Sequence, residues 1–206
     1  MEIEILAVTP DAEKIIERAG RTCYKSYDRI TEDSSGKFIR KLIKAGHLSV
    51  LEHAYITIKL KNVSRVLTHQ LVRHRLCSYS QASQRYVNEE NFSFVIPPKI
   101  EKNKEAKDVF IKIMEEIRET YKSLLEKNIP KEDARYVLPN ATHTEIVFSC
   151  NFRELRHILK LRGSPHAQWE IRKMCIKILE EVKKIAPNCF FDLEIDKEKE
   201  IIVNRK

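Results

Sequence analysis

Glycine is scarce in this chain, at four residues in 206, and no Gly-rich turn of the phosphate-cradling kind occurs. Any nucleotide must therefore be held by side chains and helix ends. No uninterrupted apolar run approaches the roughly 20 residues that span a bilayer, and residues 1–8 lack a basic segment followed by an apolar one. The sequence thus predicts a protein without a membrane span, resident in the cytoplasm. The five cysteines, Cys23, Cys77, Cys150, Cys175 and Cys189, are odd in number and never form a Cys-x-x-Cys pair, which argues against a disulfide framework and a zinc knuckle and for a reducing compartment. Internal repeats and low-complexity tracts are also missing. The most informative absence is of acid: residues 53–88 contain no Asp or Glu, where 30 acidic residues in 206 would lead one to expect about five.

That same stretch carries Lys59, Lys61, Arg65, Arg73, Arg75 and Arg85, and within it residues 73–86 crowd guanidinium groups, hydroxyls and amides together. It reads as an anion site whose countercharge arrives with a ligand. The formal charge of +8 and pI near 9.2 suit a phosphate-bearing partner, without separating a nucleotide from a polynucleotide.

Periodicity places this cluster. Residues 2–8 and 54–60 alternate as half-buried strands, as do 143–150, and a short strand is predicted over 92–96. Helices are predicted after Pro10, over 38–43 with Ser35 as cap and Gly46 as stop, over 62–75, over 101–128 and after Pro130. Asn151 and Glu154 make a capping box for a helix ending near Arg162, and Pro165 opens the last long helix. The irregular order of strands and helices predicts an α+β fold, a mixed sheet flanked by long helices, in a single domain over residues 1–206 with a charged, fraying tail over about 192–206.

Arg73, His74 and Arg75 fall at or just past a helix end. Adjacent helical residues point about 100 degrees apart, so the three touch different parts of what lies around them; the plainer alternative is a basic helix end complementing its dipole. Cys77 near these cations could be an activated thiol and Ser83 a nucleophile with His74 as base, but a packed cysteine and a hydrogen-bonding serine are the simpler readings. His69 and His74 have the wrong helical spacing for a metal pair and no neighbouring carboxylates, so no metal site is expected. A competing reading is a single-stranded nucleic-acid-binding protein, with residues 65–85 as a phosphate strip and Tyr79 and Tyr86 as stacking platforms.

The pattern Arg73-His74-Arg75, seven further residues, then Ser83 and Gln84-Arg85-Tyr86 resembles the signature of the flavin-dependent thymidylate synthases. Further blocks follow in the family's order: Gly46-His47-Leu48-Ser49-Val50-Leu51-Glu52-His53, then Ala134-Arg135-x-Val137-Leu138-Pro139, then Asn151-x-Arg153 with Arg162-x-x-x-His166-Ala167-Gln168-x-Glu170-Ile171-Arg172. The resemblance runs from about residue 3 to 191. It implies reductive methylation of dUMP to dTMP, with a hydride from FAD, carbon from methylenetetrahydrofolate and NADPH as reductant, and without a protein nucleophile. It also implies a homotetramer with shared active sites, and neither a membrane nor a nucleic-acid partner. By the same resemblance Arg73, His74, Arg75, Asn151, Arg153 and His166 contact the flavin; Gln70, Gln81, Ser83, Arg85, Arg135 and Arg162 bind dUMP; and His53 lies near folate and flavin, with Arg162 and His53 as the catalytic residues. Cys23 and His157 stand where other members carry serine and asparagine.

Overall fold

Alternating burial along the chain builds the sheet. In the computed structural model, which describes residues 1–204, strands β1 (Glu2–Val8), β2 (Tyr55–Ser64), β3 (Ser78–Gln81) and β4 (His143–Asn151) are ordered β1-β2-β4-β3. Ile56, Ile58 and Leu60 of β2 and Ile146, Phe148 and Cys150 of β4 are the buried alternates, as their spacing predicts. The helices are α1 (Ala12–Thr22), α2 (Ser34–Lys44), α3 (Arg65–Leu71), α4 (Pro98–Glu101), α5 (Lys104–Glu126), α6 (Lys131–Ala134), α7 (Phe152–Arg162) and α8 (Trp169–Ile185), and a hairpin of β5 (Leu193–Asp196) and β6 (Ile201–Asn204) follows. The α+β class stands. Arg205 and Lys206, the end of the expected tail, lie outside the described residues.

Contacts divide the chain into two compact units. The first comprises residues 1–2, 60–70 and 80–146. Its long helix α5 opens at Asn103, whose side chain accepts from the Ala106 N–H at 3.0 Å, and turns Met114 and Tyr121 into the interior. Phe92, Phe94 and Phe110 form an edge-to-face cluster, with Arg118 over the Phe92 ring and donating to the Phe92 carbonyl at 2.7 Å. The strand predicted over 92–96 is a single bridge, Phe94 to Thr142. Pro97 and Pro98 follow too closely for a longer ladder.

The second unit comprises residues 3–59, 71–79 and the chain from 147 onward. Ile171, Met174, Cys175, Ile178, Leu179 and Val182 recur at helical spacing along α8 and are all buried, in contact with α7. Each of the Ile, Leu, Met and Val side chains among them contributes about 1.5–3 kcal/mol on burial. Helix α8 begins at Trp169 rather than near Pro165, because the Gln168 side chain caps it, accepting from the N–H groups of Glu170 and Ile171. Helix α2 is likewise preceded by Asp33 rather than capped by Ser35, and Gly46 at φ 78 closes it in the left-handed region. The tail expected to fray is instead the β5–β6 hairpin, with Ile202 buried and its N–H bonded to the Gly163 carbonyl at 2.8 Å. Gly163 permits the approach: a Cβ there would meet the Leu159 carbonyl at 2.5 Å and Ile202 at 2.6 Å.

Candidate functional site

Because β2 runs on to Ser64, the helix predicted over 62–75 shrinks to the seven residues of α3, and the Arg-His-Arg triplet lies in the turns that follow. The Tyr79 hydroxyl ties this turn down, within hydrogen-bonding distance of the carbonyls of Leu71 at 2.7 Å and His74 at 2.9 Å. The triplet splits between solvent and interior, although it lies in turns and not on the helix for which that split is expected. Arg73 and Arg75 are exposed and make no hydrogen bond or ion pair among the described residues, whereas His74 is 5% exposed and fully engaged. Its Nδ1 lies 3.3 Å from Glu154 Oε1, and its Nε2 accepts from Arg162 Nε at 3.1 Å. The His157 ring stands edge-on with centroids 5.6 Å apart. Burial, then the charges of Arg162 and His157, push the His74 pKa down to about 4, so the ring is neutral at pH 7. Burial pushes the Glu154 carboxyl up, opposed by His157.

Helix α7 supplies most of this group. It starts directly after β4, with the Asn151 side chain accepting from the Glu154 N–H at 2.9 Å. The predicted capping box is only half made, since the Glu154 carboxylate turns to His74. Around the start of α7 opens a cleft of about 800 Å³ lined by Tyr55, Leu76, Asn151, Arg153, His157 and Lys160 among others. Arg153 pairs with Glu52 across it. His53 is exposed at the end of the 3-10 turn Ser49–His53, and His166 is exposed between α7 and α8.

The remaining predicted residues belong to the first unit. Gln81 donates to Thr68 Oγ1 at 3.0 Å and to Thr144 Oγ1 at 3.4 Å, which fixes its amide. Ser83 Oγ accepts from the Arg85 N–H at 3.3 Å. Glu132 joins two of the arginines: its carboxylate pairs with Arg85 at 3.0 Å and its carbonyl accepts from Arg135 Nε at 3.1 Å. Gln70 Nε2 reaches the Val66 carbonyl at 3.3 Å. Part of the acid missing from residues 53–88 is thus supplied by the chain itself, through Glu132 and Glu154.

Sequence reasoning missed Glu154 as a site residue, because three residues past an N-cap the capping role is the obvious one. It also missed Tyr79 as a brace and Glu132 as the arginines' partner. The stacking-platform reading of Tyr79 fails on geometry, since its hydroxyl is bonded inward and its ring stacks on Phe148 at 6.4 Å. Arg65, in the supposed phosphate strip, donates to the Ala82 carbonyl at 2.8 Å. His74 is likewise no base for Ser83, with both ring nitrogens committed elsewhere. Donor atoms of His74, Glu154 and His157 lie within 4.8 Å of one another, a set able to hold a metal ion, but Arg162 puts a positive charge against the same imidazole.

The family model described as "Thymidylate synthase complementing protein" matches residues 4–188. Curated relatives named flavin-dependent thymidylate synthase include one from Clostridium tetani, 40% identical over 92% of this chain and 85% of that protein. Another, from Geobacter sulfurreducens, is 42% identical over 93% and 86%, and one from Pyrococcus abyssi is 46% identical over 78% and 67%. The crystal structure of thymidylate synthase X from Helicobacter pylori with FAD and dUMP superposes with a TM-score of 0.76 at 27% identity, covering 92% of this chain and 98% of that one.

Proposed function

The chain belongs to the flavin-dependent thymidylate synthase family, and on that premise we propose that it reductively methylates dUMP to dTMP, taking the carbon from methylenetetrahydrofolate. It is an FAD-dependent enzyme; NADPH is the reductant in this reading. The observation that carries the reading is the meeting of the Arg-His-Arg signature with the C-terminal block, 88 positions away in sequence, where Arg162 Nε donates to His74 at 3.1 Å.

Methylation at C5 of uracil requires that carbon to become electron-rich, which adding a hydride at C6 achieves while placing negative charge on the ring carbonyls. Arg162 is the group assigned to stabilise that charge. Arg85 is assigned to the 5′-phosphate. It is held by Glu132 through an exposed pair worth about 1 kcal/mol or less, which a bidentate phosphate contact can displace. Ser83, Gln81, Gln70 and Arg135 complete the nucleotide contacts, and His53 lies by folate. The α7 cleft suits a flavin dinucleotide in chemistry: Tyr55 and Leu76 offer apolar surface to a ring, Arg153 and Lys160 offer charge to a diphosphate, and Asn151 and His157 offer hydrogen bonds. Arg73, Arg75 and His166 are assigned to the same cofactor; His74, expected among its contacts, is 5% exposed with both ring nitrogens engaged by Glu154 and Arg162. When bound, FAD supplies the hydride.

We take residues 1–206 as one functional domain working as a cytoplasmic homotetramer with shared sites. Among the described residues no helix is long and apolar enough to cross a membrane. Val109 and Ile113, one turn apart on α5, are 70% and 44% exposed, and this apolar strip supports burial between subunits. The test of the ligand assignment is a visible spectrum of the protein after loading with FAD and desalting, repeated with dUMP. Retained flavin absorption that shifts with dUMP is expected; absence of both contradicts the assignment.

A further inference from the structure

We propose that Glu154 is a positioning residue which, through His74, fixes the orientation of Arg162. The proposal rests on the assignment of Arg162 to the pyrimidine made above. It follows from hydrogen-bond polarity. A neutral imidazole carries one N–H and one lone pair, and the neighbours decide which nitrogen has which. Arg162 Nε can only donate, so His74 Nε2, 3.1 Å away, holds the lone pair. The proton then sits on Nδ1, which faces the carboxylate of Glu154 at 3.3 Å.

The other two states of the ring conflict with these neighbours. In the opposite tautomer, Nε2–H would face the Arg162 N–H while the Nδ1 lone pair faced a carboxylate, so both contacts would be repulsive. Protonation would satisfy Glu154 but again oppose Arg162. The groups that face the ring are Glu154, His157 and Arg162, all from α7, and the Tyr79 hydroxyl at the His74 carbonyl. Burial, then Arg162 and His157 beside it, hold the His74 pKa down to about 4, so the ring stays neutral down to that pH. Eight residues of helix separate Glu154 from Arg162, a rise of about 12 Å. Glu154 is therefore placed to act on the guanidinium through the imidazole. With Nε committed to His74, the plane of Arg162 is set, and its terminal nitrogens are directed by the same contact. This also accounts for a carboxylate that is only 7% exposed, which without a partner would be a large desolvation penalty.

The test has one arm that needs no ligand. In 15N NMR of the histidine-labelled protein at pH 7, with His74 assigned by comparison with His74→Asn, the Nδ1–H tautomer is expected; an Nε2–H tautomer overturns the proposal. In Glu154→Leu the tautomer should shift and the KM for dUMP should rise at least tenfold. Glu154→Gln, whose amide oxygen still accepts from Nδ1–H, should restore both. Unchanged tautomer or unchanged KM in Glu154→Leu sinks the link to Arg162. If Glu154→Leu does not fold, the wild-type tautomer and Glu154→Gln still decide. A wild-type protein that turns over no dUMP refutes the catalytic reading instead, while the ligand-free tautomer continues to report on Glu154 and His74.

Discussion

Arg85 and Arg162 carry the same guanidinium in different settings, and this decides what their removal does. Arg85 is half exposed and paired to an equally exposed Glu132, so Arg85→Ala should change stability by less than about 1 kcal/mol. Its KM for dUMP should nevertheless rise tenfold or more, read from initial rates at varied dUMP; an unchanged KM removes Arg85 from the phosphate. Arg162 is half-buried and bonded to a buried imidazole, and Arg162→Ala should lose dUMP binding in calorimetry while the protein stays folded by circular dichroism. Both arginines were legible in the sequence through the family's motifs. Glu154 was not: a residue three past an N-cap has a local use, and only the fold brings His74 opposite its carboxylate.

Helix α7 joins the site to the rest of its unit through the opposite side. Arg156 is buried and clamps Asp192 with two hydrogen bonds of 2.7 Å, while also donating to the Cys189 carbonyl. Asp192→Ala leaves that guanidinium buried without its partner, and should lower stability by about 3–5 kcal/mol in chemical denaturation. A loss below 1 kcal/mol would show that water reaches the arginine. Burial alone would raise the Asp192 carboxyl, but the hydrogen bonds and charge of Arg156, with Lys160, carry it below the usual carboxylate range. A carboxyl depressed in the folded state stabilises above its unfolded pKa of about 3.9 and loses that contribution as pH falls through its folded value. Acid unfolding should therefore begin below about pH 4 at this pair, and Asp192→Asn should flatten the decline there. The alternating strands β2 and β4 were readable because one buried face imposes a period of two. The β5–β6 hairpin was obscured by the charged turn at 197–200, although Leu193 and Ile195 keep the alternation, and α3 was overestimated because β2 continues into its apolar pattern.

At the scale of the whole molecule, the α+β class followed from periodicity, which did not reveal β3 or the β5–β6 hairpin, and the family followed from separated motifs rather than from composition. The two compact units were not legible, since contacts that divide β2, α3 and β4 between them leave no linker in the sequence. The proposed tetramer leads to a direct expectation: Val109→Glu with Ile113→Glu should move the protein to a smaller species in light scattering while α5 stays folded, and a doubly substituted protein that remains tetrameric removes this strip from the interface. The central claim is that the chain makes dTMP. Purified protein, loaded with FAD and given dUMP, methylenetetrahydrofolate and NADPH without oxygen, should yield dTMP by mass spectrometry, with none when FAD or folate is withheld and none from Arg162→Ala. Absence of dTMP from the complete mixture, with flavin bound and the protein folded, would contradict the account.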